Sequence, residues 1–456
     1  MKFIIIFALF VFFLPGIPGM ASFCNPLPPP SGPISLIASE SELRSLAYSS
    51  PAGTTLMVET GVYSMQDALV IQAADITIRS VSGNRDDVVL DFGGMSGGYF
   101  GVMIMADDVT IADLTIQNAV DHGVSVQGSD RAILYNLHIR DIGDQLVKVN
   151  PVGDGSDDGL LACSLIEYTT HCPDDYTNGI SAHLAHNWVV RDNQWVNIRG
   201  PGSGYTGPSV LFWSESNDTI VERNTFINCY RGVAFGNAGA SPGAHTGGIV
   251  RNNMFYATAE HDVAVEMVHA TGWLVAHNTA YMTNPAGGLT WIMEARYGDT
   301  TGTFINNLTN MDIWENRDGA AGIETDCITT AEAGWFADAA AGDLHLVETA
   351  TAAIDIGVIL TEVPEDIDGD SRSVGGASDI GADEWTACIH HGDVNGDGVL
   401  TAGDAQTAFL ITLGAVSPTP AQACAADCNG DETVTAADAQ LIFLTVLGSG
   451  NCVDPM

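Results

Sequence analysis

The sequence predicts a mostly β protein, in which a long solenoid of short parallel strands precedes a small helical module. Three observations support this prediction. A turn motif recurs at intervals of 23 to 31 residues, each interval contains apolar residues at alternate positions, and both patterns stop before the last 70 of the 456 residues. Recurrence at roughly 20–50 residues is typical of stacked structural repeats.

The turn motif is a polar residue that directly follows a short β-rich run. Stacked Asn side chains at such a bend can hydrogen-bond to one another and to the turn backbone. The unequal spacing indicates stacked coils whose loops differ in length, because a strict tandem array would repeat at one length. We place the motif at Asp113, Asn136, Ser164, Asn193, Asn224, Asn253, Asn278 and Asn307.

A second run in each interval alternates in the way expected of a strand with one buried face. Because one such strand recurs per coil in the same direction, neighbouring coils should pair in parallel. The predicted architecture is therefore a parallel β-helix, in which each coil buries its apolar face against its neighbours. The inward-facing pairs are Val124/Val126, Val147/Val149, Ile180/Ala182, Val210/Phe212, Val233/Phe235 and Val263/Val265.

The charge balance limits the classes of partner. Lys and Arg number 15 against 56 Asp and Glu, a formal net charge of −41. This balance argues against binding to nucleic acid, which requires a basic surface, and against an anionic membrane surface. The chain contains two lysines, Lys2 and Lys148.

The amino-terminal segment predicts export. In residues 1–21, Lys2 precedes a twelve-residue apolar run, and small residues up to Ala21 suit cleavage by a signal peptidase. The run is too short to span a bilayer, so we expect a secreted or cell-surface protein. Residues 22–33 read as a Pro-rich, extended leader. We expect the β-helix over residues 34–386 and the helical module over residues 387–456.

Nine cysteines make disulfides possible in an exported chain. Their odd number leaves at least one cysteine unpaired or in an intermolecular bond. Spacing alone does not determine which cysteines pair. Two disulfides could cross-link the last module, either Cys388–Cys452 or Cys424–Cys428.

The repeat pattern resembles the right-handed parallel β-helix of the pectate-lyase superfamily. The run Thr54–Tyr63 is similar to the first coil of those families, and the segments Asp366–Asp370 and Asp379–Trp385 are similar to the tail of many secreted bacterial β-helix proteins. The resemblance implies an all-β right-handed solenoid over residues 34–386. It says little about chemistry, because a fold does not determine a function.

The last 70 residues contain two loops with the ligand spacing of an EF-hand calcium site. Oxygen-bearing side chains recur at loop positions one, three, five and twelve, and a helix-like apolar run follows each loop. Glu432 stands where the first loop has its turn glycine, Gly398, which would weaken the second site. The predicted Ca²⁺ ligands are Asp393, Asn395, Asp397, Val399 and Asp404 in the first loop, and Asp427, Asn429, Asp431, Thr433 and Asp438 in the second.

Two such loop–helix units at the end of an exported chain resemble a type I dockerin, and this resemblance implies a cohesin domain as partner. The Ser-Thr pair usual for recognition in that family is replaced by Ala402-Gly403 and by Ala436-Ala437. The class of cohesin therefore stays open. The alternative is a calcium-folded module that has no partner.

Outward-facing positions of the predicted strands align in columns along the solenoid. Such columns form a groove in which a polysaccharide can lie, with Trp213 as a platform on which a sugar ring stacks. The residues predicted to bind substrate are Gln127, Asn150, Trp213 and Glu266.

Lys148 lies in the middle of these columns. A lyase that acts by β-elimination needs a base to remove the C5 proton of a uronate, and a lysine can serve when its pKa is lowered. Several β-helix lyase families use Lys or Arg as the base, often with Ca²⁺, so the resemblance implies this role for Lys148. We predict Lys148, Arg140 and His183 as catalytic residues. The alternative is that Lys148 is a surface cation without a catalytic role, surrounded by the many acidic side chains of this protein.

Two acidic stretches lie between the strand of Lys148 and the strand of His183, one after the first strand and one before the second, and are predicted to border the same cleft. Their carboxylates could hold a further Ca²⁺ through hard oxygen ligands. Solvated acidic loops are the alternative in so acidic a chain. The candidate ligands are Asp144, Asp157, Asp158, Asp174 and Asp175.

Three functions remain open from the sequence. The first is a lyase acting on a uronate-containing glycan. The second is a β-helix glycoside hydrolase with neighbouring Asp residues as acid and base, although the Asn-Thr-Asp and Gly-His-Gly strings of polygalacturonases do not occur in the sequence. The third is a carbohydrate-binding or structural surface protein without activity. The charge of −41 disfavours a polyuronate unless local cations offset it.

Overall fold

The computed structural model describes residues 24–93, 100–202, 204–372, 376–386, 391–396, 398–416, 418, 420–431 and 433–453. The predicted signal peptide (residues 1–21), the predicted ligand Asp397 and the cysteine Cys388 lie outside these residues.

Three parallel sheets form a β-helix, as the sequence predicts. Most coils contribute one short strand to each sheet, and the strands pair with those of the next coil in parallel register. Sheet A consists of Ile34–Ile37, Thr55–Val58, Thr77–Ser80, Thr110–Ala112, Ile133–Tyr135, Leu160–Ala162, Val189–Arg191, Ser216–Asn217, Ile220–Glu222, His245–Thr246, Ile249–Arg251, Ala270–Ala276, Thr301–Ile305 and Ala321–Thr325.

The other two sheets have ten strands each. Sheet B consists of Gly61–Ser64, Val88–Asp91, Thr115–Gln117, His138–Arg140, Leu165–Glu167, Gln194–Val196, Thr225–Ile227, Met254–Ala257, Thr279–Met282 and Leu308–Thr309. Sheet C consists of Leu69–Ile71, Val102–Ile104, Val124–Gln127, Val147–Asn150, Ile180–His183, Val210–Trp213, Val233–Phe235, Val265–Val268, Trp291–Arg296 and Asp312–Arg317.

The core runs along the inside of the solenoid, where Val, Ile and Leu side chains from the three sheets are buried. Aromatic rings also stack from coil to coil. The ring of Trp195 lies parallel to that of Phe226, with centroids 5.9 Å apart, and Phe226 stacks on Phe255 at 4.6 Å. Equivalent positions of successive coils thus bury equivalent side chains, which is how a repeat without a core of its own becomes stable.

A ladder of buried Asn side chains confirms the predicted stacking at the turn between sheets A and B. In each step, the Nδ2 of one Asn donates to the Oδ1 of the next at 2.9 or 3.0 Å. Each Oδ1 also accepts from the backbone N–H of the preceding Asn, so a single side chain satisfies several buried groups. The ladder consists of Asn193, Asn224, Asn253, Asn278 and Asn307.

The predicted register of this motif is wrong by one residue in the first coils. The backbone N–H of Leu137, not of Asn136, donates to Ser164 Oγ, so Leu137 holds the ladder position. Asn136 and Asp113 have φ of 49° and 59° and occupy the left-handed turn position before it. Asn and Asp favour both positions, since they tolerate left-handed backbone and form local hydrogen bonds.

The predicted columns of sheet C are confirmed from Val124 to Val233, and the last is wrong by two residues. Val124 pairs with Val147, then Ile180, Val210 and Val233. Val233, however, pairs with Val265 and not with Val263. Consequently Glu266 lies beside Ala234, in the column of Lys148, rather than in the column of Trp213. The loop before this strand is two residues longer than the alternation suggests.

A helix that was not predicted packs at the amino-terminal end of the solenoid. Helix α1 (Glu40–Ser49) begins after Ser39, whose Oγ accepts from the Glu42 N–H, while Glu42 Oε2 accepts from the Ala38 N–H. The Ser-x-x-Glu sequence thus caps the helix start, although Glu42 reaches the N–H of the residue before the N-cap instead of the N–H of Ser39 itself. Leu43 and Ala47 of α1 are buried against the first coils.

The leader before the first strand is fixed to the outside of sheet A. A disulfide joins Cys24 to Cys163, which are 139 residues apart in the sequence. The hydroxyl of Tyr135 donates to the Asn25 carbonyl at 2.6 Å, and Arg79 donates to the carbonyls of Leu27 and Pro28. Leu27 packs against the small apolar cluster of Ala112, Tyr135, Ala162 and Cys163.

The carboxy-terminal part contains a two-stranded antiparallel sheet and three helices. The strands Phe336–Asp338 and Asp343–Leu346 precede α2 (Ala402–Thr412), α3 (Pro420–Ala426) and α4 (Ala436–Val446), and short 3₁₀ helices occur at Ala286–Gly288 and Ala333–Trp335. Cys428 is bonded to Cys452. Both pairings considered from the sequence are therefore wrong. In the described part of the chain, none of the helices has the length and apolar character needed to cross a membrane.

Candidate functional site

Lys148 projects from the outer face of sheet C. Its strand places Val147 and Val149 in the core, so alternation turns the side chain of Lys148 outward. The neighbours of Lys148 in register are Ser125 in the preceding coil and Ser181 in the following coil. Small hydroxyl residues on both sides leave room for the lysine stem. Lys148 is nevertheless buried, with a residue exposure of 8 %.

The amine of Lys148 is held by two groups of the next strand. Its Nζ lies 3.0 Å from Nε2 of His183 and 3.2 Å from Oγ of Ser181. Burial lowers the pKa of Lys148 to about 8, although Asp144 and Asp121 act in the opposite direction. Burial and the nearby Lys148 lower the pKa of His183 to about 4. At neutral pH the imidazole is therefore uncharged and can accept a hydrogen bond from the ammonium group.

A cluster of metal-ligating groups lies beside Lys148. One ligand atom from each of Asp121, His122 and Asp144 lies within 4.8 Å of the others. Burial raises the pKa of Asp144 to about 7, and the nearby Asp121 carboxylate adds to this because two ionised carboxyl groups repel each other. Burial lowers the pKa of His122 to about 4.

The loops that carry this cluster are held by the backbone and by Tyr168. The Asp144 N–H donates to the carbonyl of Asp121, which makes these residues neighbours in successive coils. The Tyr168 hydroxyl donates to the carbonyls of Ile142 and Asp144, at 2.7 and 2.9 Å. Gln145 Nε2 donates to Asp144 Oδ1 at 2.6 Å. The carboxylates are thus presented by a fixed backbone.

The cluster has the features of a cation site. Nδ1 of His122 is buried and has no hydrogen-bond partner among the described residues; it lies 3.3 Å from Asp121 Oδ1 without hydrogen-bond geometry. Two close carboxylates would be relieved of their repulsion by a bound divalent cation. The residues present therefore fit a metal ion with mixed oxygen and nitrogen ligands.

The predicted substrate-binding residues Gln127, Asn150 and Trp213 share the outer face of sheet C with Lys148. The amides of Gln127 and Asn150 both donate to Ser125 Oγ, at 2.6 and 3.3 Å. The Trp213 ring meets the His183 ring edge-on, with centroids 4.6 Å apart. The structure therefore brings Lys148, His183, Asn150, Gln127 and Trp213 together.

Arg140 and Glu266 are not part of this group. Arg140 belongs to sheet B, where its guanidinium donates to Gln117 Oε1 at 2.9 and 2.7 Å. The residues 141–146 turn the chain from sheet B to sheet C, so proximity in sequence to Lys148 is misleading. Glu266 lies four strands further along sheet C, 3.7 Å from Arg231, and burial raises its pKa to about 6.

The predicted acidic ligands separate into two places. Asp157 pairs with His186 at 2.9 Å, and Asp158 accepts from Asn187 at 3.0 Å, both in turns that lead into sheet A. Asp174 is close enough to Asp144 to raise its pKa, whereas Asp175 is exposed beside it. Of the predicted carboxylates, Asp144 thus belongs to the cluster and Asp174 lies near it.

Asp121 and His122 were missed as candidate ligands. A signal existed, because Asp121 precedes the strand Val124–Gln127 by the same three residues that separate Asp144 from the strand Val147–Asn150. Aligned strands place such residues side by side in successive coils.

The two predicted calcium loops have matching geometry. In each loop, the carboxylate of the last residue, Asp404 or Asp438, accepts from the backbone at the start of the loop and from Thr401 or Thr435 at the helix N-cap. The ligand atoms of Asp427, Asp431 and Asp438 lie within 4.8 Å of one another. Oδ1 of Asp393 is buried and has no hydrogen-bond partner among the described residues.

The helices after these loops pack as a pair. Helices α2 and α4 contact each other around Ala405, Ala408, Ala439 and Ile442, and the apolar runs predicted to be helical lie within them. The oxygen-rich loops therefore fit Ca²⁺, with the helix pair holding both loops in one small core.

Comparison with known proteins agrees with both parts of the fold. Residues 391–445 match the family model of the dockerin type I domain. Pectate lyase Pel9A is 12 % identical, with a TM-score of 0.55, and the match covers 77 % of this chain and 96 % of that one. An alginate lyase from Paenibacillus sp. str. FPU-7 is 16 % identical, with a TM-score of 0.45 over 65 % of this chain and 99 % of that one. No curated protein sequence matches the chain.

Residues 391–445 are therefore similar to a dockerin type I domain, and most of the chain before them has the parallel β-helix fold that is also found in pectate lyase Pel9A.

Proposed function

We propose that the β-helix is a polysaccharide lyase that cleaves a uronate-containing glycan by β-elimination. The observation that carries this proposal is the buried amine of Lys148, which lies 3.0 Å from a neutral histidine and close to a cluster of three metal-ligating groups. A base with a lowered pKa beside a cation site is the combination that proton abstraction next to a carboxylate requires.

In this proposal the neutral amine of Lys148 takes the C5 proton of the uronate. The electron pair of that C–H bond forms the C4–C5 double bond, the C4–O bond to the leaving sugar breaks, and the leaving oxygen takes a proton from water. His183 accepts a hydrogen bond from Lys148 and keeps the amine directed toward the groove. Asn150, Gln127 and Trp213 bind and orient the sugar chain.

In this proposal the Asp121 and Asp144 carboxylates of the cluster hold a divalent cation, with Ca²⁺ as the expected ion because it takes oxygen ligands. A bound cation supplies positive charge against the uronate carboxylate, which makes the C5 proton more acidic. It also offsets locally the repulsion between a uronate and a chain with a net charge of −41. Asp174 adds negative charge beside this cluster.

The test is an assay of the full chain against a panel of uronate polymers. We expect ultraviolet absorbance from the unsaturated product, and its loss in Lys148→Ala. New reducing ends without that absorbance would identify a hydrolase instead. Neither signal, together with measurable binding, would identify a carbohydrate-binding protein.

We propose further that the dockerin domain binds Ca²⁺ at two sites and attaches the secreted chain to a cohesin domain. The metal sites are supported by the cluster of Asp427, Asp431 and Asp438 and by the buried Oδ1 of Asp393, which has no hydrogen-bond partner among the described residues. Binding to a panel of cohesins, measured with Ca²⁺ and with chelator, tests the partner. Binding that persists in chelator would contradict the calcium requirement.

A further inference from the structure

A pocket of about 290 Å³ lies beside the proposed active site, on the far side of Trp213 from Lys148. Trp213, Ser214 and Glu215 form one wall, and the loop Gly239–Ala244 forms the other. Small-ligand pockets start at roughly 300 Å³, so the size suits a single sugar ring. Trp213 lies two strands from Lys148 on sheet C and two residues further along its strand, a separation of about 12 Å.

The walls of this pocket are fixed by the backbone. The Glu215 N–H donates to the carbonyl of Ala244 at 3.0 Å, which joins one wall to the other. Ser214 and Glu215 have φ of 53° and 69°, a left-handed conformation that is unusual for two consecutive residues other than glycine. Such strained backbone is concentrated at functional sites.

Trp213 offers an unused hydrogen-bond donor at this place. Its indole Nε1 is buried and has no acceptor among the described residues. A buried N–H without an acceptor is costly, and a hydroxyl or ring oxygen of a sugar would satisfy it once the indole turns toward the pocket. The indole also provides an apolar face against which the C–H groups of a sugar ring can pack.

The negative charge of the pocket wall favours an uncharged sugar over a uronate. Glu215 is an exposed carboxylate, the other polar side chains of the wall are the hydroxyls of Ser214 and Ser241, and neither Lys nor Arg is among the described residues that line the pocket. A uronate carboxylate placed here would be repelled, whereas the hydroxyls of an uncharged sugar would find both donors and acceptors.

We propose that this pocket binds an uncharged sugar unit, so that the substrate is a heteropolysaccharide in which neutral sugars accompany the uronate. The inference rests on the proposed function, which places the uronate of the substrate at Lys148 and the cation cluster. It assigns the selection of the neighbouring, neutral sugar to Trp213 and Glu215.

Titration calorimetry tests this pocket without requiring cleavage. All titrations use the full chain with Lys148→Ala, and the probes are tetragalacturonate and the neutral tetrasaccharides of galactose, glucose, mannose and xylose. We expect at least one neutral tetrasaccharide to bind. Its affinity should fall about tenfold or more in Trp213→Ala. Ser241→Trp, which fills the pocket from an exposed loop position, should have the same effect even if Trp213→Ala fails to fold.

Two variants complete the test. Trp314→Ala removes a partly exposed indole at the distant end of the same sheet and should leave binding unchanged. Glu215→Gln removes the negative charge of the wall and should raise the affinity for tetragalacturonate by about fivefold relative to that for the neutral probe. The inference is overturned if no neutral probe binds, or if tetragalacturonate alone depends on Trp213 and Ser241. Failure of the lyase proposal shows separately, as the absence of unsaturated product.

Discussion

Nζ of Lys148 lies 3.0 Å from Nε2 of His183 on the neighbouring strand of sheet C. Lys148 is mostly a cation at neutral pH, whereas the pKa of His183 is lowered to about 4. The pair is compatible because the imidazole stays neutral and accepts. The same burial that neutralises His183 brings the pKa of Lys148 to about 8, so a fraction of the amine is already a free base at neutral pH.

The first prediction concerns the pH dependence of cleavage. Because only the neutral amine accepts a proton, kcat/KM should rise as pH increases through about 8 and level off above it. Lys148→Ala should lower kcat by about 10²–10⁴, the usual contribution of a general base. The measurement is the initial rate of unsaturated product from pH 6 to 10. A flat profile in the wild-type chain would contradict Lys148 as the base.

The second prediction separates a positioning role of His183 from a structural one. His183→Ala opens the groove to water beside Lys148, so the pKa of the amine should move back toward its ordinary value of about 10.4. The rise of kcat/KM should therefore shift to higher pH. A loss of rate that is equal at every pH would indicate a purely structural role. His171→Ala, in a loop between sheets B and C, is a matched control.

The third prediction concerns the stability cost of the base. A buried lysine with a lowered pKa costs stability at every pH below about 8, and the cost disappears as pH rises toward the ordinary pKa of about 10.4. Lys148→Met keeps the stem without the charge and should raise the free energy of unfolding at pH 7 by about 1–3 kcal/mol. Chemical denaturation at pH 7 and at pH 10 checks this, and an equal gain at both would contradict it.

The fourth prediction concerns the cation cluster. Asp144→Asn removes one of its two carboxylates without changing the size of the side chain, and should greatly weaken cation binding. Chelator should abolish cleavage by the wild-type chain, and added Ca²⁺ should restore it. Asp158→Asn, in a turn that leads into sheet A, is the control and should behave as wild type. Full activity in chelator would exclude the proposed cation.

The fifth prediction concerns the Asn ladder. Asn253→Leu fits the interior but removes the acceptor of the Asn224 N–H and Nδ2 and the donor to Asn278 Oδ1. Each buried unsatisfied group costs about 1–3 kcal/mol, so we expect a loss of several kcal/mol in the free energy of unfolding. Asn316→Ala, at an exposed position, should change it little. Denaturant titration of both variants checks the expectation.

Much of the fold could be predicted because alternation in a β-helix is strict. Val124, Val147, Ile180, Val210 and Val233 align in the structure as they do in the sequence. The alignment failed at Val263, because a longer loop moves the next strand by two residues without altering the alternation itself. Local pattern determines which residues face inward, whereas register between coils depends on loop length.

The candidate site was only partly predictable for the same reason. Lys148, His183 and Trp213 were found because they lie on strands, where columns can be aligned. Asp121 lies in a turn, and its closeness to Asp144 follows from hydrogen bonds between coils. Arg140 was assigned to the site from its distance along the chain, although the corner between two sheets separates it from Lys148.

Helix α1 has a consequence for how copies of this chain meet. A solenoid ends in strands with one unpaired edge, and an unpaired edge can accept a strand of a second molecule and so start a filament. Here the side chains of Leu43 and Ala47 of α1 are buried against the first coils of the β-helix. We expect the helix to hinder edge-to-edge pairing of two molecules where it covers the first strand of sheet C, which it contacts.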